Sequence, residues 1–185
     1  MKQTILKKSI ACTSIVGTLL LFSCEKPAET SSASTNTEAN PSSKSAAKPS
    51  PAPRADLPVK ELEVTGNDEM KFDVEELEAQ ARQSIELTFK NVGTMPKQSM
   101  GHNWCLLVKD ANSQEFLEAG FASASNGYVA SDDEDQVIAR TKILGPGEAE
   151  TITFTAPESP GSYEYICTFP GHYMAGMKGI LEITQ

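Results

Sequence analysis

The whole chain contains two histidines, and each stands in a short turn-rich motif. His172 lies in CTFPGHYMAGMKG, Cys167 to Gly179, five residues after Cys167 and shortly before Met174 and Met177. His102 lies in MGHNW, Met100 to Trp104. A lone histidine reads first as a core residue, but one that shares a loop with a thiol and two thioethers at fixed distances reads as a ligand. One thiolate, two imidazoles and a more distant thioether form a trigonal set that suits copper, soft enough for Cu(I) and nitrogen-rich enough for Cu(II). Zinc more often takes a fourth strong ligand or keeps an open water position. A copper reductase or oxidase would need a second copper site, which two histidines cannot supply. The reading is of a non-enzyme without a small-molecule substrate.

Such ligands need a rigid frame. ELEVT (61–65), SIELTF (84–89), ETITF (150–154), SYEYI (162–166) and GILEIT (179–184) alternate polar and apolar residues and are separated by turn chemistry: TGND, NVGTMP, LGPGE and PESPG. Short strands with one buried face imply an all-β antiparallel sandwich with Greek-key links. Cys167 then ends the penultimate strand, Met177 opens the last, and the loop between them sits at one end of the sandwich; His102 opens an internal strand. Only residues 113–127 have helical spacing, with Phe116, Leu117 and Phe121 on one side, and they read as a short helical flap. SDDED at 131–135 reads as a solvated loop.

The first 24 residues organise differently. Lys2, Lys7 and Lys8 precede an apolar run from Ile10 to Phe22, too short to span a bilayer and flanked like an export signal. The run ends LFSC and resembles the lipobox of bacterial lipoproteins, in which the signal (1–23) is removed and Cys24 carries diacylglycerol. The other reading is a plain secretory signal with an incidental cysteine. Residues 24–58 are then a lipidated Cys followed by a Ser/Ala/Pro-rich disordered tether, which cannot bury enough surface to fold. Its reach is roughly 30 to 35 Å by flexible-chain scaling. The folded domain is residues 59–185. It holds nine Lys and Arg against 21 Asp and Glu, while the whole chain is at −9. That balance excludes nucleic acid and anionic lipid as direct partners of the domain and favours basic protein surfaces.

VTGNDEMKFD, MPKQSMGHNW, VIARTKILGPGE and CTFPGH followed by MKG resemble azurin in order and separation, across nearly all of residues 62–184. The four residues between His172 and Met177 are closer to auracyanin, since azurins place three there. The resemblance implies a cupredoxin-like fold and one type 1 copper ion. His102, Cys167 and His172 would be its equatorial ligands, Met177 the axial one, and the carbonyl of Gly101 would face the metal from the other side. It also implies that Asn103 ties the two ligand loops together, that the amides of Asn103 and Phe169 donate to the thiolate, and that Trp104 is a core residue. The chain departs from azurins where they carry a disulfide, since Lys60 and Arg82–Gln83 hold no cysteine, and where they carry further histidines, near Asn91 and Arg140. Cys105 is left without a partner and reads as a small buried hydrophobe.

The function expected is a membrane-tethered blue copper protein that shuttles single electrons outside the cytoplasm, between partners such as c-type cytochromes or membrane oxidoreductases. The alternative is a copper donor or buffer; a relic adhesion sandwich fits the complete ligand set poorly. Electrons would pass at the His172 edge, ringed by Met95, Pro96, Met100, Tyr173, Met174 and Ala175.

Overall fold

A computed structural model describes residues 51–185. The expected signal, Cys24 and most of the tether lie outside the described residues. The elements run β1 (Lys60–Asn67), β2 (Lys71–Phe72), β3 (Glu76–Gln80), β4 (Ser84–Asn91), α1 (Lys97–Met100), β5 (Cys105–Leu107), α2 (Ser113–Gly120), β6 (Val137–Arg140), β7 (Ala149–Thr155), β8 (Gly161–Ile166) and β9 (Lys178–Thr184). The five strands read from alternation fall in β1, β4, β7, β8 and β9. Strands β2, β5 and β6 are too short to display a period; β3 alternates over five residues, with Leu77 and Ala79 buried, but holds none of the β-branched or aromatic residues that mark a strand.

Two sheets form, with orders β2-β1-β4-β7 and β3-β9-β8-β5-β6. Both are mixed, which corrects the antiparallel expectation: β1 lies parallel to β4, and β3 parallel to β9. Side chains alternate with period two in either orientation, so the sequence pattern could not separate the two cases. The all-β Greek-key sandwich with a helical flap stands.

Between the sheets Val64, Ile85, Leu87, Phe89, Trp104, Tyr165 and Leu181 are fully buried. Each such side chain contributes about 1.5 to 3 kcal/mol of burial. Strand β5 is buried on both faces for a separate reason. Trp104 and Leu106 point into the sandwich, whereas Cys105 and Leu107 point outward with Ile166, against Phe116 and Val129 of the flap.

Helix α2 starts at Asn112, whose side chain accepts a hydrogen bond from the Glu115 amide at 3.3 Å. Its buried residues are Ser113, Phe116 and Gly120. Phe121 departs from the expected inner face and is 68% exposed. At 100° per residue it lies well over a quarter-turn from Phe116, and Gly120 takes the inner position instead. A Cβ at Gly120 would stand 2.1 Å from the Tyr128 carbonyl, so only glycine lets the helix sit this close to the returning chain. The SDDED run forms a 3-10 turn over Ser131–Gln136, in which Glu134 pairs with Arg140 at 2.9 Å.

Strand β1 pairs with β4 from Lys60 beside Ile85 to Gly66 beside Asn91. The chain therefore enters the domain at the pole holding the β3–β4 turn. There Arg82 donates through Nε and Nη2 to the Ala52 carbonyl, the Arg54 amide donates to the Arg82 carbonyl, and Gln83 Nε2 donates to the Pro58 carbonyl. No cysteine lies at this clasp.

Candidate metal centre

The two histidine motifs meet at the opposite pole. The loop from Cys167 to Met177 closes the β8–β9 hairpin, since the Cys167 amide donates to the Met177 carbonyl and the Met177 amide donates to the His172 carbonyl. Gly171 and Gly176 turn the loop at φ +87° and +96°, where a side chain would be strained. His102 is held by paired backbone bonds with Leu144 at 3.1 and 2.7 Å, just ahead of β5. The Leu144 carbonyl also accepts from Asn91 Nδ2 at 3.0 Å, so the end of β4 braces the same residue.

The side chains of His102, Cys167 and His172 converge, with donor atoms all within 4.8 Å of one another. His102 Nδ1 lies 3.1 Å from His172 Nδ1, and Cys167 Sγ lies 3.4 Å from His172 Nδ1. His102 and Cys167 are 0% exposed and His172 is 2% exposed. One ion at about 2.0 to 2.3 Å from each atom, the usual range for nitrogen and sulfur donors, would bridge all three.

Burial pushes the Cys167 thiol up to about 12, against the backbone N–H groups of Asn103 and Phe169, which favour its thiolate. Burial lowers His172 to about 4, and the neighbouring His102 ring adds to the shift. Burial also lowers His102, with Asp68 and the Asn67 backbone opposing. Both imidazoles are thus held neutral, the form in which they donate to a metal. A buried thiolate with no cation nearby would be costly, and a bound cation removes that cost. The donor set fits copper.

Asn103 links the two motifs: its Oδ1 accepts from the Thr168 amide at 2.8 Å and lies 3.1 Å from the Thr168 hydroxyl. Thr168 Oγ1 also donates to the Gly127 carbonyl at 2.6 Å, so the flap is fastened to the ligand loop. At Gly101 a Cβ would meet Ile143 Cγ2 at 2.5 Å and the Lys97 carbonyl at 2.7 Å, which explains the residue type by packing. Met177 is 0% exposed, and its Cε would lie 2.7 Å from a Cβ at Gly66. Met174, by contrast, is 77% exposed. Of the expected collar, Met95, Pro96 and Met174 are exposed, while Met100, Tyr173 and Ala175 are half-buried.

Some contributors escaped the sequence reading. Asp68 accepts from the Thr94 amide and hydroxyl and from the Met95 amide, which fixes the loop leading to α1. The Asn-Asp pair in VTGND is a turn signature that could have marked it. Thr141 Oγ1 accepts from the Trp104 amide at 3.0 Å. Glu164 joins Ser113 of α2 to Lys178 and lies near the Tyr173 hydroxyl. No motif announces either.

Comparisons with known proteins agree with this geometry. The family model described as copper binding proteins, plastocyanin/azurin family, matches residues 59–184. The chain is 38% identical to Azurin-1 of Alcaligenes xylosoxydans xylosoxydans over 128 residues, covering 67% of this chain and 97% of that protein. It is 38% identical over 129 residues to an azurin of Achromobacter denitrificans, covering 68% and 85%. Among solved structures, the dithionite-reduced auracyanin of Roseiflexus castenholzii aligns with a TM-score of 0.61 at 33% identity, covering 68% of this chain and 98% of its own. Auracyanin A, a blue copper protein of Chloroflexus aurantiacus, aligns with a TM-score of 0.61 at 32% identity, covering 69% and 100%.

Proposed function

Since the chain belongs to the plastocyanin/azurin family of copper-binding proteins, we propose that it is a lipid-anchored, exported electron carrier that exchanges single electrons with redox proteins outside the cytoplasm. Blue copper electron transfer is the family's chemistry; the tether, the partners and the residue roles are the finer reading. The observation that carries it is the convergence of His102, Cys167 and His172 in a buried pocket between two rigid loops.

In this reading those three residues would hold the copper ion, Met177 would supply its weak thioether ligand and the Gly101 carbonyl would face it. Bound copper supplies a one-electron couple. The Asn103 and Phe169 amides donate to the Cys167 sulfur and temper its charge, which favours the reduced form. The bridges at Leu144, Asn91 and Asn103 hold the ligands in one arrangement, so little has to reorganise when an electron arrives. His172 is the one ligand ring with a trace of exposure, and the exposed Met95 and Met174 share its pole. Lipid attachment rests on the LFSC sequence at Cys24. Among the described residues no helix is long and apolar enough to cross a membrane.

Burial of the ligands favours carriage of electrons over delivery of copper, because a donor must open its site at every turnover. Stopped-flow electron exchange combined with copper capture by a strong chelator separates the two. A carrier exchanges electrons many times before it loses its ion; release of copper faster than electron exchange would establish the donor.

A further inference from the structure

Helix α2 and the ligand loop do not close on each other. Between them runs a groove of about 490 Å³, lined by Leu117, Phe121, Phe169, Pro170, Tyr173 and Met174, with Gln114 and Glu118 at its rim. Its apolar walls are unusually open to solvent: Phe121 is 68% exposed and Met174 77% exposed. The flap leaves Phe121 outside because Phe116 and Gly120 already fill the inner face of the helix.

We propose that this groove is the docking cradle for a basic redox protein, which inserts an apolar side chain between Phe121 and Met174 and sets flanking lysines or arginines against the flap. The proposal rests on the electron-carrier reading above and names the kind of partner that reading requires.

The flap beside the groove is acidic. From Asp110 through Ala139 there is no Lys or Arg, and there are seven carboxylates. Among the described residues only Glu134 of these is engaged by a cation, Arg140. Glu115 and Glu118 lie exposed on α2, and Asp132 and Asp135 are exposed on the 3-10 turn that follows. Of the lysines near this pole, Lys97 is paired with Glu148, and Lys178, which borders the groove over the Tyr173 ring, is paired with Glu164; Lys71 Nζ stands beside Gly176. A cationic surface is therefore drawn toward the flap side and away from Lys71.

The groove also connects to the metal site. The Phe169 ring packs on the His172 ring at 4.7 Å between centroids and is held from behind by Tyr128 at 5.4 Å. A group seated in the groove against Phe169 is one aromatic ring away from a ligand imidazole. The cradle is also firm, because the Thr168 hydroxyl ties the ligand loop to Gly127 and the Ser113 hydroxyl ties α2 to Glu164. Little ordering has to occur on docking.

The test uses the copper-loaded full chain in detergent micelles and two oxidants: a lysine-rich c-type cytochrome of net positive charge, and hexacyanoferrate(III), which needs no groove. Phe121→Ser removes an exposed ring and spares the core. It should lower the bimolecular rate with the cytochrome by more than about tenfold, the loss expected for one buried aromatic anchor. Its visible spectrum, hexacyanoferrate rate and electron self-exchange should match wild type. Glu115→Gln with Glu118→Gln should lower the cytochrome rate at low salt and flatten its dependence on ionic strength. A wild-type cytochrome rate in Phe121→Ser would overturn the proposal, and so would an equal slowing of self-exchange, which would assign the groove to contact between copies. If wild type fails with hexacyanoferrate as well, the carrier reading falls and takes this inference with it; if wild type reacts with both oxidants and the variants are silent, only the cradle falls.

Discussion

Met174 and Met177 stand three residues apart in one loop and differ completely in environment, the first 77% exposed and the second 0% exposed. The axial role in the proposed site can belong only to the buried one. Met177→Leu should therefore raise the reduction potential by removing a weak donor that stabilises the oxidised ion, while the site stays coloured; Met174→Leu should leave the potential at its wild-type value. Protein-film voltammetry of the two variants decides it, and a shift confined to Met174→Leu would reverse the assignment. His172 carries a prediction for the metal-free protein. Its folded value of about 4 lies below the ordinary 6.5, so between those limits the unfolded chain binds one proton more than the folded one. Its contribution is complete above about pH 6.5 and is lost as the pH falls through about 4. Urea midpoints of metal-free protein should drop over that interval, and His172→Gln should drop less; equal drops would deny His172 a part. The ligands were legible because rare residue types clustered in turns. Asp68 and Glu164 were not, since an acidic residue among 25 carries no mark until the fold shows what it holds.

At the scale of elements, the site is two loops pinned together. Asn103 receives the Thr168 amide at 2.8 Å within the buried interior, and Thr168 in turn holds the flap. Asn103→Ala leaves the Thr168 amide without that partner, a loss of about 1 to 3 kcal/mol for a buried donor. The metal-free variant should show a lower urea midpoint and faster amide exchange in both the ligand loop and the Tyr128 segment. Exchange that rises in the loop alone would show that the flap is fastened independently. Strands with clean alternation were readable, whereas the parallel pairings β1–β4 and β3–β9 were not, because period two is blind to direction. Phe121 was misplaced for a related reason: hydrophobicity shows that a residue could be buried, and only packing at Gly120 shows that another residue already is.

For the whole molecule, chain entry and metal site lie at opposite poles. Strand β4 runs from the Arg82–Gln83 clasp to Asn91, and eight residues at about 3.3 Å each give a separation on the order of 25 Å. The proposed tether would thus join the domain at the pole opposite the proposed electron port. Globomycin should make the uncleaved precursor accumulate, and Cys24→Ala should yield no acylated form; normal maturation of that variant, with no acylated wild type, would reduce the segment to a plain export signal. Among the described residues, four of the five large exposed apolar side chains, Val92, Met95, Phe121 and Met174, belong to loops of the proposed copper pole or to the flap beside it. The central claim is that Cys167 delivers a thiolate to copper between two imidazoles. The visible spectrum of the Cu(II)-loaded protein, recorded beside Cys167→Ser, tests it most directly. An intense band in the red, from thiolate-to-copper charge transfer, should appear in the wild type and vanish in the variant. A pale spectrum in the wild type, or the same band in both proteins, would contradict the account.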